Sequence, residues 1–233
     1  MSEYEYVYSE DCVFQGKCPR QRRMGCSRDC TIQPEIDFLL KNSNLPKDYL
    51  KKTLLYPEQQ DLHAFETLDA IRKDIVNFVN EGRFLYLWSH NCGVGKTEMS
   101  IKLMKTYFAV KCIGNGFKKL GWFNYIPTFT LLSKEFDSEE RLEHIQNSRD
   151  LDLVIMDDIG SINSSNYDIT ILSSIIDYRK SHGKATIFTS NLSIDSLERN
   201  VGARIADRVG SDIVIELKGG SRRTSTNKYI PKG

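Results

Sequence analysis

A short glycine-containing stretch, His90–Thr97 (HNCGVGKT), limits the folds that are open to this chain. The run before it, Phe84–Trp88, is apolar with strand-like composition, and from Lys96 to about Val110 apolar side chains recur at helical spacing. A glycine turn between a strand and a helix lets backbone N–H groups converge at the helix N-terminus, where phosphate binds well. The pattern therefore predicts a phosphate-binding loop in an α/β protein, and the flanking strand and helix disfavour a chance turn.

The residue types within this loop suit a nucleoside triphosphate bound with magnesium. Lys96 is expected to contact the β- and γ-phosphates, and the Thr97 hydroxyl is expected to bind Mg²⁺. His90 stands where the usual motif has its first glycine, and because histidine tolerates a positive φ better than most residues, we expect the turn to form. The residues expected to contact the nucleotide are His90, Asn91, Cys92, Gly93, Val94, Gly95, Lys96, Thr97 and Glu98.

Polar residues also end two later apolar runs. A strand beside a phosphate loop usually ends in an acid that holds Mg²⁺, and Asp157 fits that role at the end of its run. Asp158 is then placed to orient or deprotonate an attacking water, so we expect hydrolysis rather than binding alone. Asn191, after the run that starts at Ala185, is expected either to bind the water or the γ-phosphate, or to cap the following helix, and the residue alone favours the cap.

Strand-like and helical patterns alternate along most of the chain. Strand-like runs lie near 84–88, 121–126, 151–157, 185–190 and 212–217. Helical patterns lie near 96–110, 128–148, 166–181 and 193–209, after an amphipathic pattern that runs from Asp61 to near Gly82. This alternation predicts a parallel sheet covered by helices on both faces.

Composition narrows the functional classes. The 233 residues suit one core of ordinary size with an appendage, and a net charge of +1 leaves any nucleic-acid contact to a local patch. Lys111–Trp122 is basic with aromatic neighbours, which suits single-stranded nucleic acid, although a solvated loop anchored by Phe117 or Trp122 is favoured. No signal peptide and no membrane-spanning run is visible, so we expect a cytoplasmic protein without membrane contact.

Four of the six cysteines crowd near the N-terminus in a segment with few large apolar residues: Cys12, Cys18, Cys26 and Cys30. Such a segment needs something other than a core to order it, and the spacing allows a tetrahedral Zn²⁺ site, the favoured interpretation. Because paired Cys-x-x-Cys knuckles are lacking, an iron–sulfur cluster and unmetallated thiols stay open. We expect a Cys-rich segment over residues 1–33, a proline-broken linker over 34–60, the main domain over 61–226 and a basic tail over 227–233.

These motifs together resemble the AAA+ ATPases, and within them the bacterial and phage replicative-helicase loaders of the DnaC/DnaI type, whose sister group is the IstB transposition ATPases. The resemblance covers about residues 45–225. It rests on the phosphate loop, on Val154–Gly160 (VIMDDIG) and on Thr189–Asn191 (TSN), which matches the sensor 1 motif. It implies a P-loop AAA+ three-layer sandwich with a central parallel sheet, preceded here by the small Cys-rich segment.

Gly202–Arg208 (GARIADR) is similar to the stretch that carries this family's arginine finger. The resemblance implies that Arg204 enters the site of a neighbouring subunit, where a fixed cation offsets charge on the transferring phosphoryl group. From the residues alone, Arg204 and Arg208 are surface arginines paired with Asp207 or Glu198.

Gly220–Arg223 (GSRR) is similar to the family's sensor 2 motif. The resemblance implies that Arg223, with Arg222 as second choice, contacts the γ-phosphate in its own subunit. The residues expected to carry catalysis are therefore Lys96, Asp157, Asp158, Asn191, Arg204 and Arg223.

The resemblance implies an ATPase that loads a replicative DNA helicase in replication initiation. Expected ligands are ATP and Mg²⁺, and expected partners are the hexameric helicase, single-stranded DNA and further copies of the chain. In loaders the N-terminal part grips the helicase, and residues 1–33 occupy that place; the region that touches DNA corresponds to Pro127–Asp150, which is short here. An IstB-like transposition helper shares every motif, whereas a small-molecule kinase is disfavoured because paired acids and C-terminal arginines suit hydrolysis in an oligomer.

Overall fold

The structure is a computed structural model that describes residues 32–50, 61–127, 139–161 and 166–221. The helices are α1 (Ile32–Lys41), α2 (Lys47–Leu50), α3 (Leu62–Lys73), α4 (Ile75–Asn80), α5 (Lys96–Lys111), α6 (Glu139–Asp150), α7 (Asn166–Ser181), α8 (Ile194–Val201) and α9 (Ala203–Val209). The strands are β1 (Phe84–Trp88), β2 (Gly121–Tyr125), β3 (Leu153–Asp157), β4 (Ala185–Ser190) and β5 (Ile213–Glu216). Among the described helices, none combines the length and apolarity needed to cross a membrane.

The strands form a five-stranded parallel sheet in the order β2–β3–β4–β1–β5. The register places Leu85 of β1 between Ile187 of β4 and Ile213 of β5. Parallel strands are continuous apolar runs because helices cover both faces of the sheet. Here β4 is buried along its whole length, and β1 is buried except at Trp88.

Alternate side chains of each strand enter two different cores. Leu85 and Leu87 pack with the helices α1, α3, α4 and α5 on one face. Phe84 and Tyr86 pack with α7, α8 and α9 on the other face. Successive side chains of a strand point to opposite faces, so these two clusters make a helix–sheet–helix sandwich. The predicted α/β three-layer fold is confirmed.

Each predicted strand-like run contains an observed strand, but the helical predictions need correction. The pattern from Asp61 to Gly82 forms two helices, α3 and α4, because the chain leaves helical geometry at Asp74. The pattern at 193–209 is also two helices, divided at Gly202, whose φ of 94° no helix accommodates. In the 128–148 pattern, α6 begins at Glu139, and residues 128–138 lie outside the described part of the chain.

The structure also differs from the linker expected over residues 34–60. Residues 32–41 form α1, which accepts Pro34 because the first turn of a helix needs no N–H donor there. Ile36 and Leu39 of this helix are buried in the core. The following turn pairs with the edge strand β2, since Phe123 N donates to Ser43 O at 2.8 Å. Residues 32–50 are therefore packed onto the domain.

Candidate nucleotide-binding site

The loop predicted to bind phosphate joins β1 to α5. Gly93 and Gly95 have φ values of 77° and 100°, which glycine adopts without strain, and Gly95 directly precedes the helix. The free N–H groups and the positive end of the dipole of the 16-residue α5 face this loop. His90 has no positive φ; its exposed ring lies edge-on to Trp88, with 5.0 Å between centroids. The turn therefore forms without the glycine that the usual motif has at this position.

The Lys96 ammonium is held inside this loop by oxygen acceptors. Lys96 Nζ donates to the carbonyl oxygens of Ser89 at 3.3 Å and Asn91 at 3.1 Å, and to Asn191 Oδ1 at 2.6 Å. The side chain is buried, so the positive charge sits at a fixed place under the loop. Three acceptors on an ammonium satisfy its three donors, and each of them is replaceable by a phosphate oxygen.

The sheet order corrects one expectation about the acidic strand. β3 was expected beside the phosphate loop, but β4 lies between β1 and β3, so Asn191 is nearer the loop along the sheet than Asp157. The Thr97 side chain spans that separation: its Oγ1 donates to Asp157 Oδ1 at 2.8 Å. The structure thus brings Lys96, Thr97, Asp157 and Asn191 to one edge of the sheet, where the strands end.

Asp157 lies in a nearly closed environment. Burial raises the pKa of its carboxyl, and hydrogen bonds from Thr189 and Thr97 partly offset that shift. A buried carboxylate next to a hydroxyl is a donor pair that suits Mg²⁺ bound to substrate phosphates, because this ion usually takes one or two protein oxygens and fills its shell with water and phosphate. The residues present fit the predicted ion.

Asp158 directly follows β3, and Asn191 directly follows the neighbouring strand β4. Asp158 has a φ of 61°, a strained value for a non-glycine residue, and its Oδ2 accepts from Ser161 Oγ at 2.5 Å. The helix-cap alternative for Asn191 is wrong, because the α8 cap is Ser193, whose Oγ accepts from Ser196 N. Asn191 is therefore free of capping and contacts Lys96.

The chain shares a sequence stretch with known proteins and its fold with solved structures. No family model matches the chain. A stretch of 72 residues, 31% of the chain, is 36% identical to the replicative helicase loader DnaC of Buchnera aphidicola subsp. Baizongia pistaciae and spans 28% of that relative. The crystal structure of DnaI has a TM-score of 0.62 at 21% identity, covering 76% of this chain and 96% of DnaI. A crystal structure from Streptococcus pyogenes serotype M3, provisionally identified as a primosome component, has a TM-score of 0.61 at 26% identity, covering 82% of this chain and 99% of that one.

The chain resembles the DnaC/DnaI-type helicase loaders in a shared sequence stretch and in its fold. The match to its curated relative covers less than a third of that relative's length, whereas the structural match extends over most of the described chain. The resemblance therefore rests on a shared fold together with a shared sequence stretch.

Of the residues expected from the resemblance to helicase loaders, Arg204 lies on the surface. Its Nη2 is 2.6 Å from Asp177 Oδ2 of α7, and its side chain is 74% exposed. Arg208 Nε contacts the other oxygen of the same carboxylate at 3.2 Å, and its Nη1 lies 3.7 Å from Asp207. The partner expected from the sequence for Arg204 was Asp207 or Glu198, so Asp177 corrects that expectation.

The segment after β5 reaches back to the loop between β1 and α5. Asn91 Nδ2 donates to Gly219 O at 2.8 Å, and Leu217 N donates to Trp88 O at 2.8 Å. Lys218 N donates to Asp61 Oδ2, whose other oxygen caps α3. The predicted sensor 2 arginines, Arg222 and Arg223, lie just beyond the described residues.

Two further predictions concern places away from the loop. The cysteines expected to bind zinc, Cys12, Cys18, Cys26 and Cys30, lie outside the described residues. In the described ranges, no group of three or more His, Cys, Asp or Glu side chains is arranged to hold a metal ion, and neither Cys92 nor Cys112 forms a disulfide. In the basic loop, Trp122 is 6% exposed and Lys119 Nζ pairs with Glu143 at 2.7 Å, as in a surface loop anchored by an aromatic side chain.

Sequence reasoning gave no role to three residues that shape the site or its surroundings: Thr189, Ser161 and Asp177. For Thr189 a signal was available, because it lies two residues before Asn191 and side chains two apart on a strand share a face. Asp177 is distant in sequence from its partner Arg204, and Ser161 lies in a turn that shows no sequence pattern.

Proposed function

We propose that this chain is an ATPase that loads a hexameric replicative helicase onto single-stranded DNA. The observation that carries the proposal is the 2.8 Å contact between Thr97 Oγ1 and Asp157 Oδ1, with Lys96 held at the same edge of the sheet. A hydroxyl, a carboxylate and an ammonium in one place are the groups that a magnesium–triphosphate site uses. The helicase as partner is inferred from the matched Buchnera relative, which is a replicative helicase loader.

ATP binding uses the loop between β1 and α5. Phosphate oxygens accept hydrogen bonds from the backbone N–H groups around Gly93–Thr97. The Lys96 ammonium exchanges its contacts with Ser89 O, Asn91 O and Asn191 Oδ1 for contacts with the β- and γ-phosphates. Because Lys96 is already confined, binding costs little further side-chain entropy. Thr97 and Asp157 would hold Mg²⁺, which neutralises charge on the phosphates.

Hydrolysis needs a water directed at the γ-phosphorus. In the proposal, Asp158 orients this water and accepts its proton as the new O–P bond forms and the bond to the leaving ADP oxygen breaks. The contact from Ser161 Oγ restricts the Asp158 carboxylate, which limits the positions that it samples. Asn191, released when Lys96 turns to phosphate, donates an amide hydrogen bond to the water or the γ-phosphate.

A second copy of the chain completes the site. Arg204 is 74% exposed and is held by Asp177 in a surface ion pair. Exposed ion pairs contribute little stability, about 0–1 kcal/mol, so Arg204 can leave Asp177 for a phosphate at low cost when copies assemble. Arg204 of a neighbouring copy then offsets charge on the transferring group, and Arg223 does the same in its own subunit.

The loader proposal is tested with the purified hexameric replicative helicase of the chain's own cell or host. The substrate is a closed circular single strand with an annealed oligonucleotide. We expect the chain to raise the rate at which the helicase displaces that oligonucleotide, and only when ATP is present. Lys96→Ala is expected to abolish this stimulation, whereas Lys111→Ala, a change at the exposed far end of the same helix, is expected to leave it intact. Absence of stimulation by the unaltered chain would overturn the loader function, and filaments on duplex DNA without helicase would favour the IstB-like helper.

The Cys-rich segment carries a second part of the proposal. Cys12, Cys18, Cys26 and Cys30 hold one Zn²⁺ ion that orders residues 1–33 for contact with the helicase, and their spacing supports this assignment. Metal analysis of the purified chain is expected to find one zinc per chain, and Cys18→Ser is expected to release it. A chain without stoichiometric zinc would remove this part and leave the ATPase proposal unaffected.

A further inference from the structure

A buried hydroxyl on β4 touches both Asp157, the last residue of β3, and Asp158, which follows it. Thr189 is 2% exposed, and its Oγ1 donates to Asp157 Oδ1 at 2.7 Å. The same oxygen accepts from the backbone N–H of Asp158 at 3.0 Å. A hydroxyl carries one donor and two acceptor sites, so this single group serves both neighbours at once.

The backbone of Thr189 holds the same turn. Ile159 N donates to Thr189 O at 2.9 Å, which extends the contact between strands β3 and β4 past the end of β3. Asp158 lies between these two hydrogen bonds with its φ at 61°. A non-glycine residue keeps such a conformation only where its surroundings impose it, and here Thr189 contacts the residue on each side of Asp158 as well as Asp158 itself.

The next residue shows how closely the turn fits against β4. A Cβ placed on Gly160 would lie 2.5 Å from Ser190 Oγ, so a larger side chain has no room there. Both side-chain and backbone atoms of the segment that carries Asp157 and Asp158 therefore contact the end of β4.

The Asp157 carboxylate receives two hydroxyl donors on one oxygen. Thr97 Oγ1 comes from α5 at 2.8 Å, and Thr189 Oγ1 comes from β4 at 2.7 Å. Two donors that approach a single oxygen from different elements fix the plane of the carboxylate. If Thr189 lost its hydroxyl, Thr97 alone would remain, and Thr97 is also the residue expected to turn toward the metal ion.

We infer that Thr189 is a positioning residue for the magnesium–nucleotide site. This inference rests on the proposed ATPase function. The Thr189 hydroxyl holds Asp157 in the orientation that accepts Mg²⁺ while Thr97 is engaged with the ion, and it fixes the backbone turn that aims Asp158 at the attacking water. Groups that orient a metal ligand without touching the metal typically affect metal affinity or activity by about 10–100-fold.

A matched control lies on the same strand. Thr186 is fully buried near the other end of β4, where its Oγ1 accepts from Arg179 Nε at 2.9 Å and donates to Lys184 O. Thr186→Val therefore removes a buried hydroxyl from the same strand without touching the acidic turn. Thr189→Val removes the hydroxyl at the turn, and Thr189→Ser keeps it.

The test measures binding of a fluorescent ATP analogue to each variant with Mg²⁺ and with EDTA, and records a thermal melt of each. We expect the unaltered chain, Thr189→Ser and Thr186→Val to bind more tightly with Mg²⁺ than with EDTA. Thr189→Val is expected to lose about tenfold in affinity with Mg²⁺ and to match the unaltered chain with EDTA. Its ATP hydrolysis is expected to fall in kcat more than in KM.

Two results would overturn the inference while leaving the ATPase intact: full magnesium-dependent binding by Thr189→Val, or an equal loss in Thr186→Val. A lack of nucleotide binding by the unaltered chain would instead overturn the proposed function, and this inference with it. If Thr189→Val does not fold, Thr189→Cys takes its place, because a thiol is a weak donor of similar size and the same loss is expected.

Discussion

Lys96 Nζ donates to Asn191 Oδ1 over 2.6 Å, which joins the first residue of α5 to the residue that follows β4. The contact crosses between neighbouring strands, because β4 pairs with β1. We propose that when a phosphate draws Lys96 away, Asn191 loses its partner and becomes available to bind the attacking water or the γ-phosphate. In this proposal the two residues link occupancy of the loop to the arrangement of the hydrolytic groups.

His90 is predicted to be a tolerated turn residue. The φ of His90 is not positive, and its solvent-exposed ring packs edge-on against Trp88, so nothing at this position requires glycine. We expect His90→Gly to leave ATP affinity unchanged and to lower the free energy of unfolding by about 0.5–1 kcal/mol, because glycine loses more backbone entropy on folding. Nucleotide titration and urea denaturation measure the two quantities.

Gly95→Ala is the matched comparison within the same loop. Its φ of 100° is strained for alanine, so we expect clearly weaker ATP binding from this change. Tighter binding by His90→Gly would show that His90 acts as a brake on the loop and would contradict the prediction.

The sequence predicts the sheet well because buried parallel strands are short apolar runs between helices. Leu153–Asp157 and Ala185–Ser190 stand out for that reason, and both are observed as strands. Strand order is less visible: nothing in the residues shows that β4 separates β1 from β3, since order depends on how the crossovers pack. Pro34 led to the prediction of a linker because proline usually breaks regular structure, although it fits the first turn of a helix.

The site is predictable where chemistry forces a residue type and unpredictable where long-range packing chooses the partner. Lys96 and Thr97 follow from the loop motif, and their contacts agree with the expected neighbourhood. The ion pair between Asp177 and Arg204 joins two helices that are distant in sequence, whereas spacing along the chain suggested acids nearer to Arg204. Arg179 is a further case: it is fully buried and donates to several backbone carbonyls, yet the sequence does not distinguish it from a surface arginine.

Arg204 is predicted to act between subunits. Arg204→Ala is expected to retain ATP binding and to lower kcat by about 10³-fold, the order of effect that an arginine finger contributes. Arg208→Ala shares the Asp177 partner but not the proposed role, so its kcat is expected to stay near that of the unaltered chain. Steady-state hydrolysis across a range of protein concentrations measures both.

Mixing variants tests the same residue in trans. A copy with Arg204→Ala keeps an intact loop, and a copy with Lys96→Ala keeps an intact Arg204, so a mixed interface contains one complete site. We expect the mixture to hydrolyse ATP faster than either variant alone. No recovery on mixing would argue that Arg204 acts within its own subunit or not at all.

Asp212 is predicted to stabilise the fold in a pH-dependent way. Burial raises the pKa of its carboxyl, but hydrogen bonds from the Arg83 guanidinium at 2.7 Å and from Phe84 N, together with the charge of Arg83, outweigh burial and hold the pKa below its usual value. A carboxyl with a lowered pKa stabilises the fold above its unfolded-state pKa of about 3.9, and this contribution is lost as the pH falls through the folded-state pKa.

Asp212→Asn is therefore expected to lower the free energy of unfolding by about 1 kcal/mol near pH 7, a modest value because Arg83 is 41% exposed. The difference from the unaltered chain is expected to shrink below about pH 4. Urea denaturation at the two pH values measures it, and Asp207→Asn, at a 77% exposed site, is the control expected to change nothing. A gap that widens in acid would contradict the assignment.

The most direct measurement is the equilibrium binding of ATP with Mg²⁺ to the unaltered chain, to Lys96→Ala and to Lys111→Ala. Charge-assisted hydrogen bonds are worth about 1.5–3 kcal/mol, so loss of the buried Lys96 ammonium is expected to weaken binding by at least about tenfold. Lys111→Ala, in the last turn of the same helix, is expected to bind as the unaltered chain does. Equal affinity in all three proteins would contradict the assignment of this loop as the nucleotide site.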